Sequence, residues 1–99
     1  MKIIRKQEVG SISKPEGTKV SYFLFDEYEI HYNEQIAKSS QTWHHHKTIW
    51  ETLFIIEGEL TARWKDNGEI RSEVVKAGDI VETERTPHTF INHTDKEAN

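Results

Sequence analysis

The fold class this sequence predicts is all-β, on three observations. The apolar share is 34% and is drawn largely from Ile, Val, Trp, Tyr and Phe, whose branched or flat side chains suit a pleated surface better than a helix. Turn-forming residues recur at intervals of roughly 8 to 12 positions. No stretch of the chain repeats its apolar residues with the 3.6-residue period of a helix. Short strands between frequent turns describe a sandwich or a barrel with mostly antiparallel pairing. A chain of 99 residues is expected to form one domain, residues 1–99, because it is too short to divide its core.

Each element follows from its residues. A short first strand is expected over Lys2–Arg5, and Lys14-Pro15-Glu16-Gly17 supplies a turn through proline's fixed φ and glycine's freedom. Lys19–Asp26 and Tyr28–Ile36 read as strands with a bend at Asp26-Glu27, and Ala37–Gln41 as a loop or an edge. Ile49–Ile56 is the strongest strand signal and turns at Glu57-Gly58 into a strand over Glu59–Lys65. Asp66-Asn67-Gly68 is the clearest hairpin signal, since Asn and Gly accept the positive φ of a tight turn. It folds Ile70–Val75 back on Leu60–Trp64. Lys76-Ala77-Gly78-Asp79 is a further turn, followed by strands near Ile80–Thr83 and Thr89–His93. One more strand would ordinarily follow the turn after Asn92, whereas the sequence given stops at Asn99.

Composition narrows the function. There is no cysteine, so disulfides and thiolate metal ligands are excluded and histidine and carboxylate remain as the strong ligands. The N-terminal segment lacks the apolar centre of a secretory signal, so a cytoplasmic location is expected. No apolar run approaches the ~20 residues of a membrane span. With a net charge of −4 and scattered basic residues, neither nucleic acid nor a membrane is an expected partner. A small-molecule ligand or substrate is.

The chemistry centres on histidine. His44 and His46 are two apart, so on a strand they project from one face with Cα atoms ~7 Å apart and can close on one ion. Glu51 shares the face of Leu53 and Ile55, and its odd spacing from His46 requires a break in alternation, assigned to a turn or bulge at Lys47-Thr48. His88 lies 37 residues beyond Glu51; a barrel folds it back two hairpins later. His45 and His93 have the opposite parity and read as surface residues, as does the polar face of Glu29, His31 and Asn33. Trp43, Trp50 and Trp64 read as packing residues.

In this pattern the chain resembles the cupin family. The first cupin motif, H-x-H, four residues, E, six residues, G, is matched without a gap by His44, His46, Glu51 and Gly58, over residues 44–58. The second is Gly-Asp, a strand, a Pro-x-Gly turn and H-x-x-x-N. Gly78-Asp79 and His88 to Asn92 match its ends over residues 78–92, while Thr83 stands for the Pro, Arg85 for the Gly, and the run is one residue shorter. The resemblance implies a double-stranded β-helix, or jelly roll. It also implies one divalent metal ion (Fe, Mn, Ni, Zn, Cu or Co) held by His44, His46, Glu51 and His88, and a tendency to form homodimers.

Three neutral imidazoles and one carboxylate leave a divalent ion with a formal charge of +1 and, in octahedral coordination, two open positions. That arrangement suits a small metal-dependent enzyme, a dioxygenase or an isomerase, epimerase or lyase, acting on an oxygen-rich metabolite. Such an enzyme requires a further acid or base, with His31 and Tyr32 as the nameable candidates. The alternative is a non-catalytic cupin that binds or senses a small molecule.

Overall fold

The computed structural model describes residues 1–46 and 49–99. Among these, the chain forms nine strands and no α-helix: β1 (Ser11–Ser13), β2 (Thr18–Leu24), β3 (Glu29–Gln35), β4 (Ser39–Ser40), β5 (Thr52–Phe54), β6 (Glu59–Asp66), β7 (Glu69–Lys76), β8 (Ile80–Glu82) and β9 (His88–Asn92). They assemble into a three-stranded sheet in the order β1-β2-β3, a four-stranded sheet β4-β9-β6-β7 and a two-stranded sheet β5-β8. All pairings are antiparallel.

The β6–β7 hairpin forms where its turn residues place it. Asn67 and Gly68 take φ of 51° and 82°, the two positive values that match a turn to the twist of its strands. Register follows: Leu60 faces Val75 and Trp64 faces Arg71. On the other edge of β6, Ala62 faces Phe90 and Trp64 faces His88. Because alternate side chains point to opposite faces, Leu60, Ala62, Trp64, Phe90 and His88 all lie on one side of this sheet. The buried cluster sits there, with Leu60, Ala62 and Phe90 packed against Ile55 and Ala98 and flanked by Leu53, Val75 and Val81.

Two expected strands differ. Lys2–Arg5 is not a strand: Ile3 and Ile4 are exposed, no strand among the described residues pairs with them, and the chain instead makes a 3-10 turn over Lys6–Glu8 closed by Glu8 N–H donating to the Arg5 carbonyl at 2.9 Å. The first strand is Ser11–Ser13. The strand expected over Ile49–Ile56 is regular only at Thr52–Phe54, opposite the three residues of β8, with Glu51 and Ile55 bonded through their backbones to the residues flanking β8. Ile49 and Trp50 are left exposed.

Residues 98–99 pair with the end of β3 and with the turn between β5 and β6. Ala98 bridges to Gln35, Asn99 N–H donates to the Glu57 carbonyl at 2.8 Å, and Ile56 N–H donates to the Asn99 carbonyl at 2.8 Å. Gly58 makes this possible. Its φ is +85°, and a Cβ there would stand 2.9 Å from the Ala98 Cα and the Glu97 carbonyl oxygen. Asn92, fully buried, ties the same corner together. Its amide donates to the carbonyls of Gln35, Ile36 and Lys96 at 3.2, 3.1 and 2.8 Å, and its oxygen accepts from the Thr94 N–H and hydroxyl.

Candidate metal centre

His44 and His88 meet through their backbones. His44 N–H donates to the His88 carbonyl at 3.0 Å and His88 N–H to the His44 carbonyl at 2.9 Å, an antiparallel bridge that sets both side chains on the inward face. Their ring centroids are 4.3 Å apart. His46 keeps the same parity two residues on, with its ring centroid 5.6 Å from that of His44. Glu51 enters from the start of β5, fixed by Thr83, whose N–H and hydroxyl both donate to the Glu51 carbonyl at 3.2 Å. The break in alternation assigned to Lys47-Thr48 falls outside the described residues.

The side chains converge. One donor atom from each of His44, His46 and Glu51 lies within 4.8 Å of the other two, near the ~4.2 Å that separates opposite donors on a first-row divalent ion. His46 Nε2 is 3.2 Å from Glu51 Oε2. His88 stands at the edge of this trio, its Nε2 3.5 Å from Glu51 Oε1. Of the four residues singled out in the sequence, His44, His46 and Glu51 form the cluster and His88 lies beside it, against Glu51.

The unused ring nitrogens fix the tautomers. His44 Nδ1 lies 2.9 Å from the Thr42 carbonyl and His88 Nδ1 lies 2.6 Å from the Thr86 carbonyl. A carbonyl only accepts, so each Nδ1 carries the proton and each Nε2 of the neutral ring presents a lone pair to the cluster. This is the way a metal-binding histidine is oriented by its outer neighbours. Neither threonine stands out in the sequence, although each sits two residues before its histidine.

Electrostatics follow from this packing. Burial pulls His44 below the ordinary imidazole value, with the Thr42 carbonyl opposing and the neighbouring His88 adding to the fall. Burial also pulls on His88, but the Glu51 carboxylate and the Thr86 carbonyl outweigh it and the net shift is upward. Glu51 is held below the usual carboxylate range, first by His88, against the opposing effect of burial. The site is therefore poised to hold a positive charge between His88 and Glu51.

A family model for the cupin domain matches residues 30–99. The chain belongs to the cupin family. Among solved structures, Drosophila melanogaster CENP-C bound to CAL1 superposes with a TM-score of 0.83 at 18% identity, covering 97% of this chain and 79% of that one. A predicted oxalate decarboxylase from Thermotoga maritima gives 0.77 at 23% identity, covering 98% and 92%. The polyketide cyclase RemF from Streptomyces resistomycificus gives 0.75 at 21% identity, covering 99% and 74%. At these identities the likeness is one of fold, the jelly roll expected from the motifs. Comparison with curated proteins gave no significant match.

Within this cupin the altered second-motif turn has a definite form. Glu84 and Arg85 take φ of 51° and 59°, and Thr86 N–H donates to the Thr83 carbonyl at 2.8 Å. Two successive non-glycine residues in the left-handed region cost ~1–2 kcal/mol each. The strained turn places Thr83 on Glu51 and the Thr86 carbonyl on His88, so it serves both motifs. The Arg85 guanidinium lies 5.1 Å from the Trp50 ring, and Trp50 is 60% exposed. Trp43 is exposed as well, so of the three tryptophans expected to pack only Trp64 does, flanking the core. His31 is exposed and bonded to Glu29 at 2.8 Å, as its polar face implies, and His45 and His93 are exposed.

Proposed function

We propose that this cupin binds one divalent metal ion through His44, His46, Glu51 and His88 and works as a small metal-dependent enzyme on an oxygen-rich metabolite. The observation that carries this reading is the His88 Nε2 atom. The ring is 4% exposed, this nitrogen has no hydrogen-bond partner, and the group 3.5 Å away is a carboxylate oxygen. In the neutral tautomer two acceptors face each other in a buried site, an unfavourable pairing that a cation between them reverses. An all-nitrogen and oxygen donor set without thiolate fits Fe, Mn, Ni, Zn, Co or Cu.

When bound, the ion supplies Lewis acidity toward an oxygen ligand or, as iron or manganese, redox capacity toward dioxygen. The protein's part is positional. Thr42 and Thr86 hold the two ring tautomers, Thr83 fixes the entry of Glu51, and the buried His88 ring packed 5.6 Å from Phe90 shields one side from water. The reaction class is a dioxygenase or an isomerase, epimerase or lyase. Binding without turnover is favoured by one observation: His31, a candidate acid or base, is tied to Glu29 on an exposed face. The proposal extends to a cytoplasmic homodimer.

Elemental analysis of protein purified without added metal tests the site. About one ion per chain is expected, with His46→Ala and His88→Ala each losing most of it. Absence of stoichiometric metal in the wild type, or full retention in both variants, refutes the assignment. Oxygen uptake with diols or diketones on the iron- or manganese-loaded protein separates the oxygenase from Lewis-acid chemistry or binding alone.

A further inference from the structure

The four-stranded sheet ends at β7, and no strand among the described residues pairs with that strand's outer edge. The ladder shows which backbone groups are left open there. Lys65 N–H donates away from β7, to the Pro87 carbonyl at 3.1 Å, so Lys65 and Ile70 face each other without exchanging ladder bonds. The N–H and carbonyl of Ile70 therefore point to the free edge, and by alternation those of Ser72 and Val74 do too. At Lys76 the edge closes: its N–H donates to the Asp79 carboxylate at 2.8 Å and its carbonyl accepts from Asp79 N–H at 2.9 Å. The register of β6 and β7 is unbroken and β7 contains no proline, so neither a bulge nor a missing donor blunts the open stretch.

The outer face beside this edge is short of negative charge. Arg63 stands between Ser72 and Thr89 on the neighbouring strands, and alternation places Thr61 and Lys65 next to it along β6. Its diagonal neighbours are Ile70, Val74 and Ile91. No carboxylate belongs to this set, and the half-buried Arg63 makes no ion pair or hydrogen bond with another described residue. Glu59, the carboxylate on the same face of β6, lies at the far end of the strand and is within 3.9 Å of the Lys76 ammonium. A partly buried guanidinium ordinarily has a counter-ion. Ser72 is small, so Arg63 is free to extend across it toward the edge.

We propose that the open edge of β7 docks an extended peptide segment of the pattern apolar-neutral-acidic-neutral-apolar, added antiparallel as a fifth strand of the sheet. Its backbone takes up the N–H and carbonyl groups of Ile70, Ser72 and Val74. Its central carboxylate stands opposite Ser72 and pairs with Arg63. An added strand lies two strand spacings, roughly 10 Å, from β6, a gap that arginine and glutamate side chains span from its two sides. The apolar positions rest beside Ile70 and Val74, which are 53% and 49% exposed. The inward positions are neutral because Glu69 and Glu73 outnumber Arg71 on that side, where Asp66 already holds Arg71 at 2.9 Å. A phosphate backbone has no N–H to give the open carbonyls. A second copy of β7 presents Ile70, Ser72 and Val74 on this face and brings Arg63 no carboxylate. The site faces away from the metal centre and is independent of it.

The test titrates the full chain into a fluorescein-labelled peptide, Lys-Thr-Val-Thr-Glu-Thr-Val-Thr-Lys, and follows fluorescence anisotropy. A second peptide has Lys in place of the Glu, and a third is N-methylated at both valines and the glutamate, where the backbone meets β7. The Glu peptide is expected to bind ~10-fold tighter than the Lys peptide, and the N-methylated peptide is expected not to bind. Arg63→Glu is expected to reverse the preference between the first two, as the charge changes sign. Ser72→Pro is expected to weaken both by at least ~10-fold with the circular dichroism spectrum unchanged, since the lost N–H makes no ladder bond. The proposal is overturned if the Glu and Lys peptides bind equally, if N-methylation leaves binding intact, if Arg63→Glu keeps the wild-type preference, or if no peptide binds up to millimolar concentration. It is also overturned if Ser72→Pro lowers the sedimenting mass of the protein while peptide binding persists, which assigns the edge to a second copy. Should Ser72→Pro fail to fold, the N-methylated peptide decides the role of the edge on the wild-type chain.

Discussion

Residues within hydrogen-bonding distance of one another do most to define this centre, and their protonation makes it pH-dependent. His88 is raised above the ordinary 6.5, so the metal-free folded chain holds that proton more tightly than the unfolded one. Its stabilisation is fully present below 6.5 and is lost as pH rises through the folded value. Glu51 is lowered from 4.5, so its contribution is present above 4.5 and lost as pH falls through its folded value. The two shifts share one contact and count once; the pair favours the metal-free fold most between 4.5 and 6.5. His44, lowered from 6.5, works against the acid side of that window, because its stability is lost as pH falls. If His88 is a ligand as proposed, a metal has to displace its proton. Zinc affinity is therefore expected to rise between pH 6 and 8 by up to ~10-fold per unit below the folded His88 value, and His88→Ala is expected to flatten that rise. Equal slopes for the two proteins in a competition titration with a chelating dye would refute the assignment of the proton to His88.

At the scale of elements, the turns and motifs were the legible part and the partnerships the illegible part. Asn67-Gly68 announces its hairpin through local backbone preference alone, and the H-x-H spacing places two rings on one face through strand parity alone. Neither needs to know what else is nearby. Lys2–Arg5 and Ile49–Ile56 fail for the converse reason: each has strand-forming residues, but a ladder also needs a partner, and partner length is a property of the whole topology. In the sequence the Thr83–Thr86 turn stands out only as a departure from the family pattern. Its sequence gives no hint that Glu84 and Arg85 take positive φ, as neither is a residue that favours it. Gly58 reads as a turn residue in the sequence, and the fold adds that it receives residues 97–98. Gly58→Ala is accordingly expected to cost ~2–4 kcal/mol, combining the penalty of φ +85° with displacement of backbone at Glu97 and Ala98. Urea unfolding measures this directly. A loss below ~0.5 kcal/mol, the range of ordinary surface substitutions, would show that the C-terminal segment does not pack as described.

At the scale of the whole molecule, the distribution of apolar side chains is uneven. The principal extents are 45 × 33 × 26 Å and the radius of gyration is 14.0 Å, against about 12.6 Å for a compact chain of this length. The excess length is accompanied by exposed apolar side chains at the free end of the β2–β3 hairpin. Leu24, Phe25, Tyr28 and Ile30 are all exposed there, with the Phe25 and Tyr28 rings stacked 4.8 Å apart. Leu24 pairs with Glu29 and Ile30 with Phe23, so these two point to opposite faces of the hairpin and the apolar side chains wrap its end, the kind of surface that marks an interaction site. Interior packing offers no alternative, since the cluster around Phe90 is drawn from β5, β6, β8, β9 and the C-terminal residues. A second copy would offer a matching surface, because a two-fold axis would bring the same hairpin end to face itself. Sedimentation equilibrium is expected to show a dimer that dissociates on dilution. Leu24→Glu combined with Ile30→Lys is expected to shift the midpoint upward at least ~10-fold in concentration, about 1.4 kcal/mol of lost association. A wild type that stays monomeric throughout the micromolar range, or a double variant that dimerises as strongly as the wild type, would place these four side chains outside any self-association surface.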